Sequence, residues 1–274
     1  MNKKVLPTIT LGNYQVSRLI IGHNPFKGNS HFSEAMDREM REYFTQERMI
    51  ETLFECERQG LTVMQSRGDQ EIMAMVDEYR QRGGKLHWIC QTATEWDDIP
   101  DNIHTIARHR PIAIYHHGSH TDSLYKEGRL EVVRDYLKLV RDLGLLVGVG
   151  THMPEIIEHI EEHNWDVDFY MACLYNLSKV ERTSMLVSGE RTEEPFDDAD
   201  REIMCDTIRK TSKTCLAFKI LAASRKATTP AAVREAFEFA FRHIKPTDAV
   251  VVGMFPKYKN QIEENARIVR EVVG

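Results

Sequence analysis

The sequence lacks the features that mark several specialised classes of protein. It has only five cysteines in 274 residues and no CxxC pair, so we expect reduced thiols in a cytoplasmic protein rather than a disulfide framework. No apolar run approaches the roughly 20 residues that span a membrane, and no apolar stretch follows the first lysines, as a secretory signal requires. The net charge of −6 provides no basic surface for nucleic acid. The expected partner is therefore a small-molecule substrate.

The chain does contain eight short apolar runs, separated by segments with helical periodicity. The hydrophobicity of each run is continuous rather than alternating, as is typical of a parallel strand that is covered on both faces. Helical periodicity is clearest in residues 45–59 and 127–143, where apolar residues recur on one face. The predicted strands are residues 18–22, 61–66, 86–92, 112–118, 145–150, 168–176, 215–222 and 248–254.

Strands and helices that alternate eight times predict an α/β fold of the (β/α)₈ TIM-barrel type, with residues 1–274 forming a single domain. An open doubly wound sheet is the alternative, but the first strand is not followed by the G-x-G-x-x-G loop of that fold. The connections 24–44 and 177–199 are long, and we expect them to be loops on the active-site face of the barrel.

The active sites of such barrels lie at the carboxyl ends of the strands. The polar residues at those ends are therefore the candidate site. We expect the catalytic residues to be His117, Gln65, Gln91 and Lys219, and the substrate-binding residues to be Asn24, Arg67, His152, Tyr175 and Asn176.

Three histidines follow one strand within five positions. Because neighbouring residues of a strand point to opposite faces, only one of His116 and His117 can face the barrel axis. Ile112 and Ile114 suit the helix-facing side together with His116, which leaves His117 for the axis. We therefore expect His116 to be a packed, hydrogen-bonded residue and His120 to lie in a loop.

Side chains from several strand ends could also meet at one divalent metal ion. His23, His117, His152 and Cys173 end four different strands, and three histidines with an open position are a common catalytic zinc arrangement. No local H-x-H or H-E-x-x-H spacing supports such a geometry. Hydrogen bonds from these histidines to an organic ligand are therefore favoured over a metal site.

The other polar strand-end residues have both a functional and a structural interpretation. Gln65 and Gln91 suit recognition of hydroxyl or carbonyl groups, or are amides satisfied by nearby backbone. Arg67 could clamp a carboxylate or phosphate, or lie on a loop surface. Lys219 could act as a base or Schiff-base amine if buried, or pair with a loop carboxylate.

Four segments carry a resemblance to the aldo/keto reductase family that covers nearly the whole chain. YQVSRLIIGHNPFKG, GLLVGVGTHMPEIIEHI, DVDFYMACLYNLSK and GMFPKYKNQIEEN are similar to that family's first strand, its G-V-S-x-H-x-P-E pattern, its D-V-D…Y-N-L segment and its late cofactor-loop helix. The resemblance implies a barrel that holds NADPH across its mouth. It places Lys257, Gln261 and Asn265 near the cofactor, with Gln261 where the family often has a basic residue for the 2′-phosphate.

The family transfers hydride with a tyrosine acid, a lysine, an aspartate and a histidine. In this chain the resemblance places the histidine at His117, the aspartate position at Gln65 and the lysine position at Gln91. The segment that should carry the tyrosine reads Arg67-Gly68-Asp69-Gln70. General acid catalysis is worth about 10²–10⁴-fold, so the missing proton donor should cripple ordinary carbonyl reduction.

Three functions remain as alternatives. The first, which we favour, is a lyase, isomerase or hydrolase that acts on a small carbonyl or polyhydroxylated substrate, with His117 as the acid/base and with or without a divalent metal. The second is an NAD(P)H-dependent oxidoreductase whose proton comes from His117, Tyr43 or Tyr175. The third is a non-catalytic barrel that uses its pocket as a sensor or its helices as an interaction surface.

Overall fold

The computed structural model describes residues 5–180 and 193–274. The described chain begins with an antiparallel hairpin of β1 (Thr8–Leu11) and β2 (Tyr14–Ser17), which the sequence pattern did not predict. Ile9, Leu11 and Val16 of this hairpin are buried in the same apolar cluster as the inner face of the barrel. The hairpin therefore covers the end of the barrel from which the strands start.

Eight parallel strands close into a barrel, which confirms the predicted fold class. Each strand pairs with the next in the chain, and the last pairs with the first. The strands are β3 (Leu19–Gly22), β4 (Val63–Arg67), β5 (His87–Gln91), β6 (Ala113–His116), β7 (Leu146–Thr151), β8 (Phe169–Cys173), β9 (Thr214–Phe218) and β10 (Ala249–Gly253).

Helices surround the barrel and follow the strands. The described α-helices are α1 (Glu34–Tyr43), α2 (Gln46–Arg58), α3 (Gln70–Gln81), α4 (Ile99–Arg108), α5 (Gly118–Lys126), α6 (Glu131–Asp142), α7 (Pro154–Glu162), α8 (Asp198–Lys210), α9 (Pro230–His243) and α10 (Gln261–Val272). Short 3₁₀ helices span Asn24–Lys27 and Leu177–Lys179. Among the described residues, no helix is long and apolar enough to cross a membrane.

Buried side chains form two layers that follow the alternation of the strands. In β6, Ala113 and Tyr115 belong to the cluster inside the barrel, whereas Ile114 belongs to the cluster between strands and helices. Ile112 belongs to the inner cluster, so its predicted helix-facing position was wrong, because it precedes the first paired residue of the strand. Tyr115 therefore points toward the barrel axis from the carboxyl half of β6.

Several predicted boundaries were wrong where the backbone adopts left-handed conformations. The predicted helix 127–143 begins only at Glu131, because Gly128 has a φ of 70°. The preceding segment forms α5, so His120 lies in a helix rather than in the predicted loop. The predicted strand 215–222 ends at Phe218, because Lys219 has a φ of 59°, which no strand residue adopts.

The two long connections differ from simple loops. The predicted loop 24–44 contains a 3₁₀ helix and α1. Several of its residues line the mouth of the barrel, among them Asn24, Pro25, Asn29, Ser30 and His31. The connection 177–199 contains the second 3₁₀ helix and the start of α8, and its residues 181–192 lie outside the described chain.

Candidate active site

A cavity of about 300 Å³ opens at the carboxyl ends of the barrel strands. It has the position of the active site in barrel enzymes and a size that suits a small molecule. Ten of the predicted site residues line it: His23, Asn24, Gln65, Arg67, Gln91, His117, His152, Lys219, Gln261 and Asn265.

Two predicted substrate-binding residues do not line this cavity. Strand β8 ends at Cys173, so the next residues turn away beneath α8. Tyr175 is fully buried there, and its ring packs against Phe196 with centroids 5.0 Å apart. The side chain of Asn176 accepts a hydrogen bond from the backbone N–H of Ser178 at 3.2 Å and caps the 3₁₀ helix. Both residues therefore have structural positions, and their prediction as substrate ligands was wrong.

The predicted metal set is not assembled. Cys173 is fully buried in the apolar cluster between strands and helices and does not line the cavity. In residues 5–180 and 193–274, no three side chains of His, Cys, Asp or Glu form a group that could hold a metal ion. The set of His23, His117, His152 and Cys173 is corrected accordingly, because the end of one strand turns its thiol away from the barrel axis.

A buried carboxylate orients His152. Asp122 on α5 is only 2% exposed, and its Oδ2 lies 2.7 Å from Nδ1 of His152. The same carboxylate accepts hydrogen bonds from Thr151 Oγ1 at 2.6 Å and from Ser178 Oγ at 2.5 Å. Burial alone would raise the pKa of Asp122, but the charge of His152 and these hydrogen bonds lower it. The ionised carboxylate therefore holds the proton of His152 on Nδ1.

In His117 the two ring nitrogens have the opposite hydrogen-bonding roles to those in His152. It is the N-cap of α5, and its Nδ1 accepts a hydrogen bond from the backbone N–H of His120 at 3.4 Å. Because Nδ1 is an acceptor, the neutral imidazole carries its proton on Nε2. Gly118 allows the start of α5 to lie close to His152, since a Cβ at this position would lie 3.3 Å from Cε1 of His152. The cavity wall thus holds two imidazoles whose Nδ1 atoms have different partners, a backbone N–H for His117 and a carboxylate for His152.

Tyr115 is a cavity residue that the sequence argument overlooked. Its hydroxyl oxygen accepts a hydrogen bond from Nε2 of Gln65 at 2.7 Å. Burial raises the pKa of Tyr115 well above its ordinary value, although the charge of Arg67 and a hydrogen bond from Gln91 partly oppose this. The phenol therefore stays protonated. Its position two residues before His117 was a usable signal, because the predicted strand 112–118 contains both residues and alternate residues of a strand face the same side.

His23 completes a chain of polar groups behind Tyr115. It is hydrogen-bonded to Gln65, and its buried Nδ1 has no partner among the described residues. Burial, and then the charge of Arg67, lowers the pKa of His23 to about 3. His23 is therefore a neutral residue that helps to orient the amide of Gln65.

His116 has the packed position that the sequence predicts. Its Nδ1 lies 2.8 Å from Oγ1 of Thr121, and its ring packs near Tyr136 of α6 with centroids 5.6 Å apart. Burial, and then the charge of His120, lowers the pKa of His116 to about 3. His116 is a buried neutral imidazole and does not line the cavity.

Lys219 forms the ion pair that one of its two interpretations predicts. Its Nζ lies 3.2 Å from Oε2 of Glu194, whose other oxygen lies 2.9 Å from Nδ1 of His31. All three residues line the cavity mouth. Because the carboxylate stabilises the charged ammonium, Lys219 is suited to hold a polar group rather than to attack as a neutral amine.

The loop between β10 and α10 brings few available positive charges to the cavity. Lys257 does not line the cavity, and its Nζ lies 2.6 Å from Oε1 of Glu39. Lys259 does line it, but its Nζ lies 2.6 Å from Oε2 of Glu264. Both lysines are already paired with carboxylates, so these residues fit the 2′-phosphate of NADPH poorly.

Comparisons with known proteins support the fold and do not identify a family. No family model and no curated protein matches this chain. Its structure is similar to a truncated 3-deoxy-D-arabino-heptulosonate 7-phosphate synthase from Thermotoga maritima, with 13% identity, a TM-score of 0.56 and coverage of 97% of this chain and 91% of that chain.

Two aldo-keto reductase structures resemble this chain about as closely as that synthase does. A glycerol dehydrogenase from Gluconobacter oxydans has 12% identity and a TM-score of 0.54, over 97% of this chain and 90% of that chain. An aldo-keto reductase from Bacillus halodurans in its holo form has 11% identity and a TM-score of 0.57, over 96% of this chain and 91% of that chain. These identities show the fold alone. The chain is a closed (β/α)₈ barrel of the TIM type, with structural similarity to aldo-keto reductases and to other barrel enzymes.

Proposed function

We propose that this protein is an enzyme that removes a proton beside the carbonyl group of a small polar substrate, as lyases and isomerases do, and that it is a divergent member of the aldo/keto reductase family. The observation that carries the proposal is the buried Asp122–His152 pair, whose imidazole lines the cavity. A carboxylate on Nδ1 leaves Nε2 of the imidazole as the basic nitrogen. Such a base is the group that proton abstraction requires.

Tyr115 and His117 are placed to stabilise the charge that this step creates. As the C–H bond breaks, its proton goes to Nε2 of His152, and its electron pair forms a C=C bond. The carbonyl electrons move to oxygen and form an enolate. Hydrogen bonds from the hydroxyl of Tyr115 and from Nε2 of His117 would stabilise that oxygen in a buried site. Return of the proton to the same carbon completes exchange. In a 2-hydroxy carbonyl compound, transfer of the hydroxyl proton to the enolate oxygen and return of the abstracted proton to the former carbonyl carbon complete isomerisation.

The environment of Tyr115 favours this role over that of a proton-transferring acid. Its pKa is raised by burial, whereas an acid for carbonyl reduction needs a pKa near the working pH. Gln65 donates to its oxygen, and no described residue accepts its hydroxyl proton. The proton of Tyr115 is thus available to a ligand oxygen in the cavity.

Hydrogen–deuterium exchange tests the proposed chemistry directly. We expect the protein in D₂O to accelerate loss of the proton NMR signals beside the carbonyl of at least one compound among hydroxyacetone, dihydroxyacetone, glyceraldehyde and pyruvate. The acceleration over the buffer rate should be tenfold or more, as one positioned base provides at least about 10². A rate equal to that of buffer for all four compounds would contradict the proposal.

An NAD(H)-dependent oxidoreductase is the second candidate, because Gln261 and Asn265 line the same cavity as His117. If a nicotinamide cofactor binds, we expect NADH to bind more tightly than NADPH, by about tenfold. The reason is that Glu264 holds Lys259, so a 2′-phosphate would meet a carboxylate without a spare cation. Fluorescence titration with both nucleotides checks this. Tighter binding of NADPH, or an unchanged preference after Glu264→Gln, would count against it.

A further inference from the structure

We infer that the substrate of this site carries a carboxylate group that Arg67 binds. This inference rests on the proposed function and names the class of its substrate as a small 2-oxo acid. The expectation that Arg67 lies on a loop surface was wrong, because Arg67 is the last residue of β4, is 1% exposed and lines the cavity. A buried guanidinium is stabilised by anionic partners, and a ligand carboxylate can join the one that Glu95 supplies.

The described residues contact only one edge of this guanidinium. Its Nε donates to Oε1 of Glu95 at 2.9 Å, and its Nη2 pairs with the other oxygen of that carboxylate. Nη2 also donates to Oγ1 of Thr94 at 3.4 Å. Among the described residues, no hydrogen bond is made by Nη1, the third nitrogen. One donor group of a buried cation is therefore left for a ligand.

The charge of Arg67 reaches the catalytic side of the cavity. After burial, Arg67 is the main cause of the lowered pKa of His23. The same charge opposes the effect of burial on the pKa of Tyr115. Both residues line the cavity with Arg67. An anion bound to Nη1 from this side would thus share the cavity with the hydroxyl that we assign to the carbonyl oxygen.

An anion would be repelled from the other side of Arg67. A second, outer cavity of about 510 Å³ also contacts this residue. Its wall carries the carboxylates of Asp69, Glu71, Glu95 and Asp97 and only one further cation, Lys27. Like charges at this density disfavour an anion. The inner cavity is therefore the side from which an anionic group can approach the guanidinium.

The number of charges favours a carboxylate over a phosphate. Arg67 is already paired with Glu95, and its Nε also lies 4.0 Å from Oδ2 of Asp69. The ammonium of Lys219 is paired with Glu194. One partly compensated cation suits a monoanion, whereas a phosphate ester carries up to two charges at neutral pH. With a carboxylate on Arg67 and the adjacent carbonyl at Tyr115, the bound group is a 2-oxo acid.

Isothermal titration calorimetry with matched probes tests this inference. Pyruvate and hydroxyacetone share one carbon skeleton and differ in the carboxylate, and dihydroxyacetone phosphate represents a phosphate ligand. We expect pyruvate to bind at least about tenfold more tightly than hydroxyacetone, because hydrogen bonds to charged groups are the strong ones. Arg67→Gln should bring the dissociation constant of pyruvate to that of hydroxyacetone, and Arg67→Lys should give an intermediate value.

The variant Glu95→Gln distinguishes a role of Arg67 in ligand binding from a purely structural role in the ion pair. Removing this competing carboxylate should tighten pyruvate binding severalfold and leave hydroxyacetone binding unchanged. This variant also tests the inference if Arg67→Gln fails to fold. Arg48→Gln is the matched control, because Arg48 forms an exposed pair with Glu51 on α2, and its loss should not change the binding of any probe.

Three results would overturn the inference: equal binding of pyruvate and hydroxyacetone, tighter binding of dihydroxyacetone phosphate than of pyruvate, or no pyruvate binding at millimolar concentration. The outcome is separable from that of the proposed chemistry. Binding of pyruvate that depends on Arg67, without proton exchange, would refute the chemistry alone. Exchange of hydroxyacetone protons without a preference for pyruvate would refute the carboxylate alone.

Discussion

Replacing His152 with asparagine should lower the rate of substrate proton exchange by about 10²–10⁴-fold. The reason is that His152 is the cavity imidazole whose other nitrogen is held by a carboxylate, Asp122, at 2.7 Å. Asparagine keeps a polar side chain of similar length but cannot take up a proton. Proton NMR in D₂O measures the rate, and circular dichroism checks that the variant is folded.

Asp122→Asn should lower the same rate by at least about 10²-fold, because an amide no longer fixes the proton of His152 on Nδ1. Asp122 acts through His152, so it is a positioning residue. Its loss should lower the maximal rate and leave the substrate concentration at half-maximal rate nearly unchanged. Ser178→Ala is the control, because it removes one hydrogen bond to Asp122 and leaves His152 in place. An equal loss in Ser178→Ala would show that the carboxylate serves structure alone.

The second large effect concerns stability in mild acid. His23 and His116 have a folded-state pKa of about 3, whereas the pKa of an unfolded histidine is about 6.5. Protons therefore bind the unfolded chain first, and folding is favoured above pH 6.5 and progressively less below it. Each histidine should lower the free energy of unfolding by about 2 kcal/mol between pH 7 and pH 5, so both together lower it by about 4 kcal/mol.

Urea unfolding at pH 7 and pH 5 measures this loss. His116→Gln should shrink the difference between the two pH values by about half, since it removes one of the two buried imidazoles. His163→Gln is the control, because His163 lies exposed at the end of α7 and should leave the difference as it is in the unsubstituted protein. The account would be wrong if both variants behaved alike.

The fold could be predicted from the sequence because the patterns that indicate its strands and helices are local. Continuous apolar runs and amphipathic segments alternate along the chain, and each run became a strand within a few residues of its predicted bounds. Two of the errors lie at Gly128 and Lys219, where single residues adopt left-handed backbone conformations. Such a conformation depends on tertiary packing as well as on the local residue types, particularly at a lysine.

Much of the cavity wall could also be predicted from the sequence, for the same reason. A residue that ends a parallel barrel strand must lie at the catalytic face, and this placed residues such as His117, Gln65 and Gln91 correctly on the cavity. Tyr175 and Asn176 were misplaced because β8 ends at Cys173, before either residue is reached. A strand end that is wrong by this much moves a side chain from the cavity to the layer beneath a helix.

The sequence by itself thus determined the barrel and a ring of polar residues at its mouth, because both depend on patterns within single elements. Only the tertiary structure decided which of these residues act together. Asp122 and His152 are 30 positions apart, Arg67 and Glu95 are 28 apart, and Gln65 and Tyr115 are 50 apart. Each pair joins different elements around the barrel. The burial and the tautomers that give these groups their chemistry arise only when the barrel closes.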